Sequence, residues 1–434
     1  MSVAPRGGGT GSPSAAADLT GAAEAFVDSN WDESITVREW WRRLADAGLA
    51  YPSWPAGLGG CGASPAGART VTAVLARRGV IGPPAGILAA GLAAPTLLAH
   101  GTPEQIARYL RPIATGEAAW CQLFSEPGSG SDLASVGTRA IPDGAEWVVS
   151  GQKVWNSGAD AADFGMLLAR TDPDQPKHKG ISYLILDMHQ PGVEARPLKQ
   201  MNGAASFCEV FLTEARVRPG CVVGAVNDGW RVAQTTLAAE RNSTAGGGTR
   251  GLVQARSGQH GDLDRAVGEV MERAREAASA RRSPIRSGAV PAQAMLDLAR
   301  RYGRADDPVL RQELARYVSQ VRINGWTMRR IAAAGGRITG ADGSIAKLLT
   351  SRICQQSRDL SYRIAGAAGL LTGPESPLGG ELQVVNLASP GTRIGGGTDE
   401  IQLNVIAERG LGLPREPAVD REVPYRELRV GTQR

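Results

Sequence analysis

The sequence predicts a mainly α-helical chain with one central β domain, and three observations carry that prediction. From about Gly21 to Ala118, apolar residues recur at helical spacing between loops. From Trp120 to about Val232, short apolar runs alternate with Gly, Pro and Asp turns, as in a small antiparallel β domain. From Trp230 helical periodicity returns and persists towards Arg409, and long helices of this kind bundle with one another. The expected boundaries are a disordered N-terminus at 1–20, an N-terminal helical domain at 21–118 and a middle β domain at 119–232. A C-terminal helical bundle at 233–414 and a tail at 415–434 complete the chain.

Individual elements follow from local chemistry. Residues 1–19 are rich in Gly, Ala, Ser and Pro with no apolar core, so neither a signal peptide nor an anchor is expected. Arg38 to Gly48 is amphipathic and stops at a glycine, and Thr102 caps a helix with Pro103 in its first turn. The uncharged stretch Gly79–His100 holds Pro83, Pro84 and Pro95, which argue for buried helix and loop rather than a membrane span. Strands are expected around Trp147–Val149, Met166–Leu168, Ile181–Leu186 and Val210–Leu212. Later helices are expected at Asp262–Ala280, Leu310–Ile331, Ser344–Ile364 and Ile401–Arg409, with an exposed loop at Ala278–Gly288.

Composition excludes several function classes. With 434 residues the chain is long enough for two or three domains. Its 48 basic residues are interleaved with 43 acidic ones, so there is no nucleic-acid footprint. Five scattered cysteines without a CxxC pair fit a reducing cytoplasm, and four histidines without ligand spacing leave no metal site to expect. Gly57-Leu-Gly-Gly-Cys-Gly62 matches GxGxxG but follows no apolar strand, so a dinucleotide-binding domain is rejected.

The stretch Cys121-Gln-Leu-Phe-Ser-Glu-Pro-Gly-Ser-Gly-Ser-Asp-Leu-Ala134 opens as a buried strand and then turns. Its glycines permit positive φ and close backbone approach, and serines 125, 129 and 131 can converge as donors on a polar planar ligand or a phosphate. An ordinary Gly/Ser turn is the alternative reading.

Gly151-Gln-Lys-Val-Trp-Asn-Ser-Gly158 and Gly395-Gly-Gly-Thr-Asp-Glu-Ile-Gln402 follow at set intervals. Trp54-Pro55, Ala94-Pro95-Thr96, Leu167–Asp172, Phe207–Phe211, Asp228–Trp230, Glu240-Arg241 and Ile406–Arg409 stand in register with them. In this order the chain resembles the acyl-CoA dehydrogenase family of flavoenzymes, from about Trp40 to Glu416.

The resemblance implies FAD, an acyl-CoA or acyl-carrier thioester as substrate, an electron-transferring flavoprotein as acceptor, and a homotetramer in lipid metabolism. It also implies that helical parts flank the β domain. Gln122, Phe124 and Ser125 match positions lining the flavin edge. Gly130 and Ser131 match a loop passing flavin and pantetheine, so Ser131 is also expected at the substrate. Trp155 matches a ring stacked on the flavin, Ser157 a hydroxyl at N5, and Thr398 and Glu400 residues near FAD. A closing core tryptophan is the plain reading of Trp155, and a helix N-cap that of Thr398. Asn156 stands where relatives usually carry threonine or isoleucine. The arginine that grips the FAD pyrophosphate of a neighbouring subunit is matched by Arg300, with Arg311 as alternative.

Family members that carry the base in the last motif would place it at Gly396, which has no side chain to serve. Others carry it before an arginine on the helix opening the C-terminal bundle, and here that residue is Glu240. Glu240 is therefore expected to remove the α proton, with Arg241 ordering that end and the Gly396 N–H meeting the thioester oxygen. A surface Glu–Arg pair is the plain alternative. Relatives acting as flavin oxidases or monooxygenases, and a chain supplying half of a heteromeric enzyme, remain the competing readings.

Overall fold

The computed structural model describes residues 13–84, 86–246, 252–280, 288–334, 341–417 and 420–428. Among the described residues five α-helices come first: α1 (Pro13–Asn30), α2 (Val37–Asp46), α3 (Pro65–Arg78), α4 (Ala94–His100), which a π-helical stretch Ile87–Ala93 leads into, and α5 (Pro103–Ala114). Strands β1 (Trp120–Leu123), β2 (Arg139–Asp143), β3 (Glu146–Ser157) and β4 (Phe164–Arg170) follow. Next come β5 (Ile181–Asp187), β6 (Val193–Leu198), β7 (Phe207–Val217) and β8 (Val222–Val223). The chain continues with α6 (Gly229–Gly246), α7 (Val267–Ala280), α8 (Ala292–Arg301) and α9 (Pro308–Ala333). It ends with α10 (Asp342–Ala365), α11 (Glu381–Ile394) and α12 (Asp399–Val405). Helices, a central sheet and helices again is the predicted order.

Residues 1–90, 103–119 and 248–275 form one compact unit. Its core is made by α2, where Trp40 and Trp41 are fully buried and donate their indole N–H groups to the carbonyls of Ile81 and Gly82, each at 2.8 Å. Gly116 has φ +72, and a Cβ there would lie 2.2 Å from the Trp41 ring, so only glycine lets the chain pass this ring. Thr36 caps α2 by accepting from the Glu39 N–H, and Gly48 follows its end at φ +70, as the sequence suggests.

Two expectations need correction here. Helix α1 begins at Pro13, inside the N-terminal stretch expected to be disordered, because the helix buries Ala23 and Val27. Residues 1–12 lie outside the described residues. The expected bundle at 233–414 is not one body either. Residues 252–275 pack with the N-terminal helices through Gly82 N–H to Val253 carbonyl (3.0 Å) and Gly258 N–H to Gly116 carbonyl (2.8 Å).

Residues 91–102, 120–247 and 276–434 form the second unit. Its sheet runs β6-β7-β3-β2-β4-β5-β8, with β1 paired to β4. The sheet is mixed rather than antiparallel as predicted, since β1 runs parallel to β4 from Trp120↔Phe164 to Leu123↔Leu167, and β2 meets β4 in parallel at Arg139↔Arg170. Strands β4 and β5 are buried almost throughout, which explains their continuous apolar runs. The C-terminal helices close over Val290, Met295, Leu298, Leu314, Leu360 and Leu382. Helix α7 starts at Val267, five residues after the expected Asp262, and it reaches Ala280 into the expected loop. Residues 281–287 of that loop lie outside the described residues. Within the described part of the tail past Pro414, Tyr425 and Arg426 donate backbone N–H groups to the carbonyls of Gln175 and Pro173. No described helix is long and apolar enough to cross a membrane.

Candidate active site

The Ser125–Asp132 loop is held by the far end of β3. There β3 carries one residue more than β7 between Lys153↔Val210 and Asn156↔Cys208, which makes a β-bulge. Lys153 Nζ donates to the Phe124 carbonyl (3.0 Å), Val154 N–H to the Ser125 carbonyl (2.9 Å) and Asn156 Nδ2 to the Gln122 carbonyl (2.6 Å). These backbone carbonyls are engaged within the protein, which leaves the Gln122 carboxamide and the Ser125 hydroxyl as side-chain groups that can meet a ligand. Asn156 is 1% exposed, and its Oδ1 is a buried acceptor with no partner.

Trp155 sits in the bulge with φ +63, a left-handed conformation that costs a bulky residue about 1–2 kcal/mol. Its ring is 60% exposed, with the edge of Phe207 5.9 Å from its centroid. The reading of Trp155 as a core residue is therefore wrong for this chain. Ser157, two residues on, is half-buried.

The loop itself departs from expectation. Ser129 does not converge with Ser125 and Ser131. It is buried, exchanges backbone hydrogen bonds with Glu126 and donates its hydroxyl to the Asp132 carbonyl at 2.6 Å. Gly130 has no positive φ, and a Cβ there would meet nothing within 4 Å, so the fold does not require glycine at this exposed tip. A ligand approaching the backbone would. Ser131 beside it is exposed.

Sequence reasoning missed the ion pair that fastens this loop. Glu126 is buried, and its carboxylate accepts from Lys153 Nζ (2.8 Å), Gly137 N–H (2.7 Å) and Thr138 N–H (2.9 Å). Burial pushes the Glu126 pKa up, but the Lys153 charge and these donors outweigh it and hold the carboxyl below its ordinary value. The 27-residue separation of the pair hid it from local pattern.

Glu240 rides on α6, whose buried stripe is Val232, Ala233 and Thr236. Leu237 and Ala238, expected among apolar neighbours, are only half-buried. Thr236 Oγ1 bonds Thr96 Oγ1 (2.8 Å) and Tyr183 Oη (3.2 Å), and the Tyr183 ring meets Phe124 edge-on at 5.9 Å. This buried polar cluster, another feature the sequence hid, sets the face on which Glu240 lies one turn later. Glu240 is half-buried, and its Oε1 lies 3.6 Å from where a Cβ on Gly396 would stand. The side chain of Arg241 is outside the described residues.

Gly396 has φ +69, and its carbonyl accepts from Gln402 Nε2 at 2.8 Å. Thr398 caps α12 by accepting from Ile401 N–H (3.2 Å), so the N-cap reading holds, and its hydroxyl proton remains available to a ligand. Asp399 is buried and bound by Lys347 Nζ (3.2 Å), Ser351 Oγ (3.0 Å) and Arg393 Nε (3.3 Å), which anchors the glycine turn from below. Glu400 is exposed, 3.6 Å from Arg393. Arg300 pairs with Asp297 on the exposed face of α8 (2.8 Å), and Arg311 lies near Asp306 (3.8 Å). No described contact brings either arginine to the loop or the bulge.

Residues 19–117, 121–215 and 292–411 match the acyl-CoA dehydrogenase N-terminal, middle and C-terminal domains. Acyl-CoA dehydrogenase FadE34 of Mycobacterium tuberculosis is 41% identical over 377 residues, covering 86% of this chain. The chain spans only 46% of that protein's length. Acyl-CoA dehydrogenase IpdE1 of the same organism is 37% identical over 382 residues, covering 87% of this chain and 88% of IpdE1. Among solved structures, the Tcur3481–Tcur3483 steroid ACAD matches with TM-score 0.64 at 29% identity, covering 93% of this chain and 99% of that one. A chain of the ChsE4–ChsE5 complex from M. tuberculosis matches with TM-score 0.62 at 26% identity, covering 94% and 100%. The chain belongs to the acyl-CoA dehydrogenase family.

Proposed function

We propose that this chain is an FAD-dependent acyl-CoA dehydrogenase that turns an acyl thioester into its trans-2-enoyl product, with Glu240 as the base. The observation that carries the reading is the Glu240 carboxylate standing against Gly396. Gln402 occupies the Gly396 carbonyl, which leaves the Gly396 N–H as the group to meet the thioester oxygen. A hydrogen bond to that oxygen acidifies the α carbon, and a carboxylate beside the donor takes the proton.

The residues present fit the flavin ring. Trp155 offers an exposed aromatic face held at a strained bulge, with Ser157 two residues on. Ser125, the exposed Gly130–Ser131 tip, Thr398 and Glu400 supply polar groups and room for backbone approach. FAD, when bound, supplies the acceptor for the hydride that leaves the β carbon. Electrons then pass to an electron-transferring flavoprotein, with O2 as the alternative acceptor. Five free thiols support a reducing, cytoplasmic setting.

A second reading, one half of a heteromeric enzyme, is favoured by Arg300. It is tied to Asp297 on its own helix, and one structural relative is a complex of two proteins. Ile323, Trp326, Val384 and Leu387 expose apolar surface on α9 and α11, which supports assembly with a like chain or a related one, a homotetramer being the simpler outcome. The test is to add FAD and an acyl-CoA panel, including a steroid-derived thioester, to the purified chain. A yellow protein of tetramer mass that bleaches without oxygen supports the homomeric enzyme. A colourless chain that turns yellow only with a co-expressed relative supports the heteromer. Oxygen consumption during turnover would replace the carrier flavoprotein with O2.

A further inference from the structure

Residues Asp420–Leu428 lie beyond the family match, which ends at residue 411, yet they dock on the connection between β4 and β5. Pro424 bridges Pro176, Tyr425 and Arg426 donate their backbone N–H groups to Gln175 (2.9 Å) and Pro173 (3.0 Å), and Arg426 pairs with Asp174 at 2.8 Å. The Tyr425 ring covers the Arg170 guanidinium at 3.8 Å. Arg170 is 3% exposed and donates to the carbonyls of Ala134 (2.6 Å), Val136 (3.2 Å) and Lys177 (2.8 Å). Lys177 is itself buried, and its ammonium joins Asp420 to Asp132, the latter at 3.0 Å. Tyr425 Oη also donates to the Ser135 carbonyl at 3.4 Å.

The contacts of Arg170 with Ala134 and Val136, of Lys177 with Asp132 and of Tyr425 with Ser135 all end on one side of the same loop, while the others fasten the segment to the β4–β5 connection. Asp132 closes the Ser125–Asp132 turn through its carbonyl, and Ala134 to Val136 continue it. The buried Glu126–Lys153 pair holds the other side. Between the two anchors Pro127, Gly128 and the Gly130–Ser131 tip are exposed, and Ser129 is buried.

We propose that the segment Asp420–Leu428 is a strap that positions the Gly130–Ser131 tip, acting through Lys177 and Arg170, and thereby sets the grip on the thioester arm of the substrate. The second half of this statement rests on the proposed dehydrogenase function. Tyr425 and Lys177 are positioning residues, because they touch the loop and not the reacting atoms. Covering a desolvated guanidinium with an aromatic face lowers the mobility of everything that guanidinium holds.

Hydrogen exchange on the full chain without substrate tests the first half. Removing residues 417–434, or changing Tyr425→Ala, should speed amide exchange at residues 130–136 by about tenfold while the β3–β7 ladder keeps its protection. Tyr425→Phe, which keeps the ring, should retain slow exchange. Steady-state kinetics test the second half: Tyr425→Ala and Lys177→Met should raise KM by roughly fivefold, with kcat within about twofold and flavin content unchanged. Unchanged exchange at 130–136 in the truncated chain would overturn the strap, and so would equal loosening of the whole sheet. Should the wild-type chain prove to have no dehydrogenase activity, only the dehydrogenase reading falls, since the exchange result judges the strap by itself.

Discussion

Glu240 Oε1 and the site of a Cβ on Gly396 are 3.6 Å apart, ordinary van der Waals contact. The two places from which family members are expected to present their base thus converge on one point from two elements. A carboxylate rooted at Gly396 would crowd the one rooted on α6, so a glycine at 396 and a glutamate at 240 are complementary. Gly396→Ala should test this contact gently. Its φ of +69 makes the substitution cost about 1 kcal/mol, read as a lower urea midpoint. With the new methyl in contact with Glu240, proton removal should slow while flavin content stays the same.

Trp155 gives a prediction in which binding and stability part company. Trp155→Gly relieves the strain of φ +63 and adds chain entropy, two terms of about 1 kcal/mol that offset one another. The apo protein should therefore melt close to wild type. Flavin retention on gel filtration should nonetheless fall markedly, since the exposed aromatic face is gone. Full retention would show that the indole is no flavin platform.

A pH dependence follows from Asp262, which is buried where the returning segment 252–275 closes on itself. Burial pushes its pKa up. Arg256, through its side chain and its backbone N–H at 2.9 Å, and Arg273 at 2.9 Å outweigh that and hold it at about 2, against an ordinary 3.8. The folded state thus binds this proton less readily than the unfolded chain. Its contribution of about 2 kcal/mol is complete above roughly pH 4 and is lost as pH falls towards 2. Asp262→Asn should lower the unfolding free energy by about that amount at pH 7, and the gap to wild type should close near pH 2.

Much of this architecture was legible because burial writes itself into periodicity. Strands β4 and β5 are buried on both faces and read as continuous apolar runs, and Trp40, Trp41 and Leu44 mark the inner face of α2. Strands β2 and β6 were not legible, since most of their residues face solvent and Glu194 and Arg196 pair with each other along the strand. Helices α8 and α11 escaped notice too, the latter because it buries Gln383, Asn386 and Ser389 and contains Pro390. At the site, motif order drew attention to the Ser125–Asp132 loop, the Trp155–Ser157 stretch and the Gly395–Thr398 turn. The positive φ of Trp155, the inward turn of Ser129 and the Glu126–Lys153 pair arise from tertiary packing, and no local pattern announces them. The docking of Tyr425 on Arg170 joins residues 255 positions apart (425 − 170) and was invisible for the same reason.

The central claim, that Glu240 removes the α proton, is tested most directly by anaerobic stopped-flow bleaching of the flavin with a good acyl-CoA substrate. Glu240→Gln keeps the size of the side chain and should leave FAD bound and the fold intact. The bleaching rate should fall by at least about a hundredfold, the usual share of a general base. Bleaching of Glu240→Gln at near the wild-type rate would contradict the assignment and place the base on another chain.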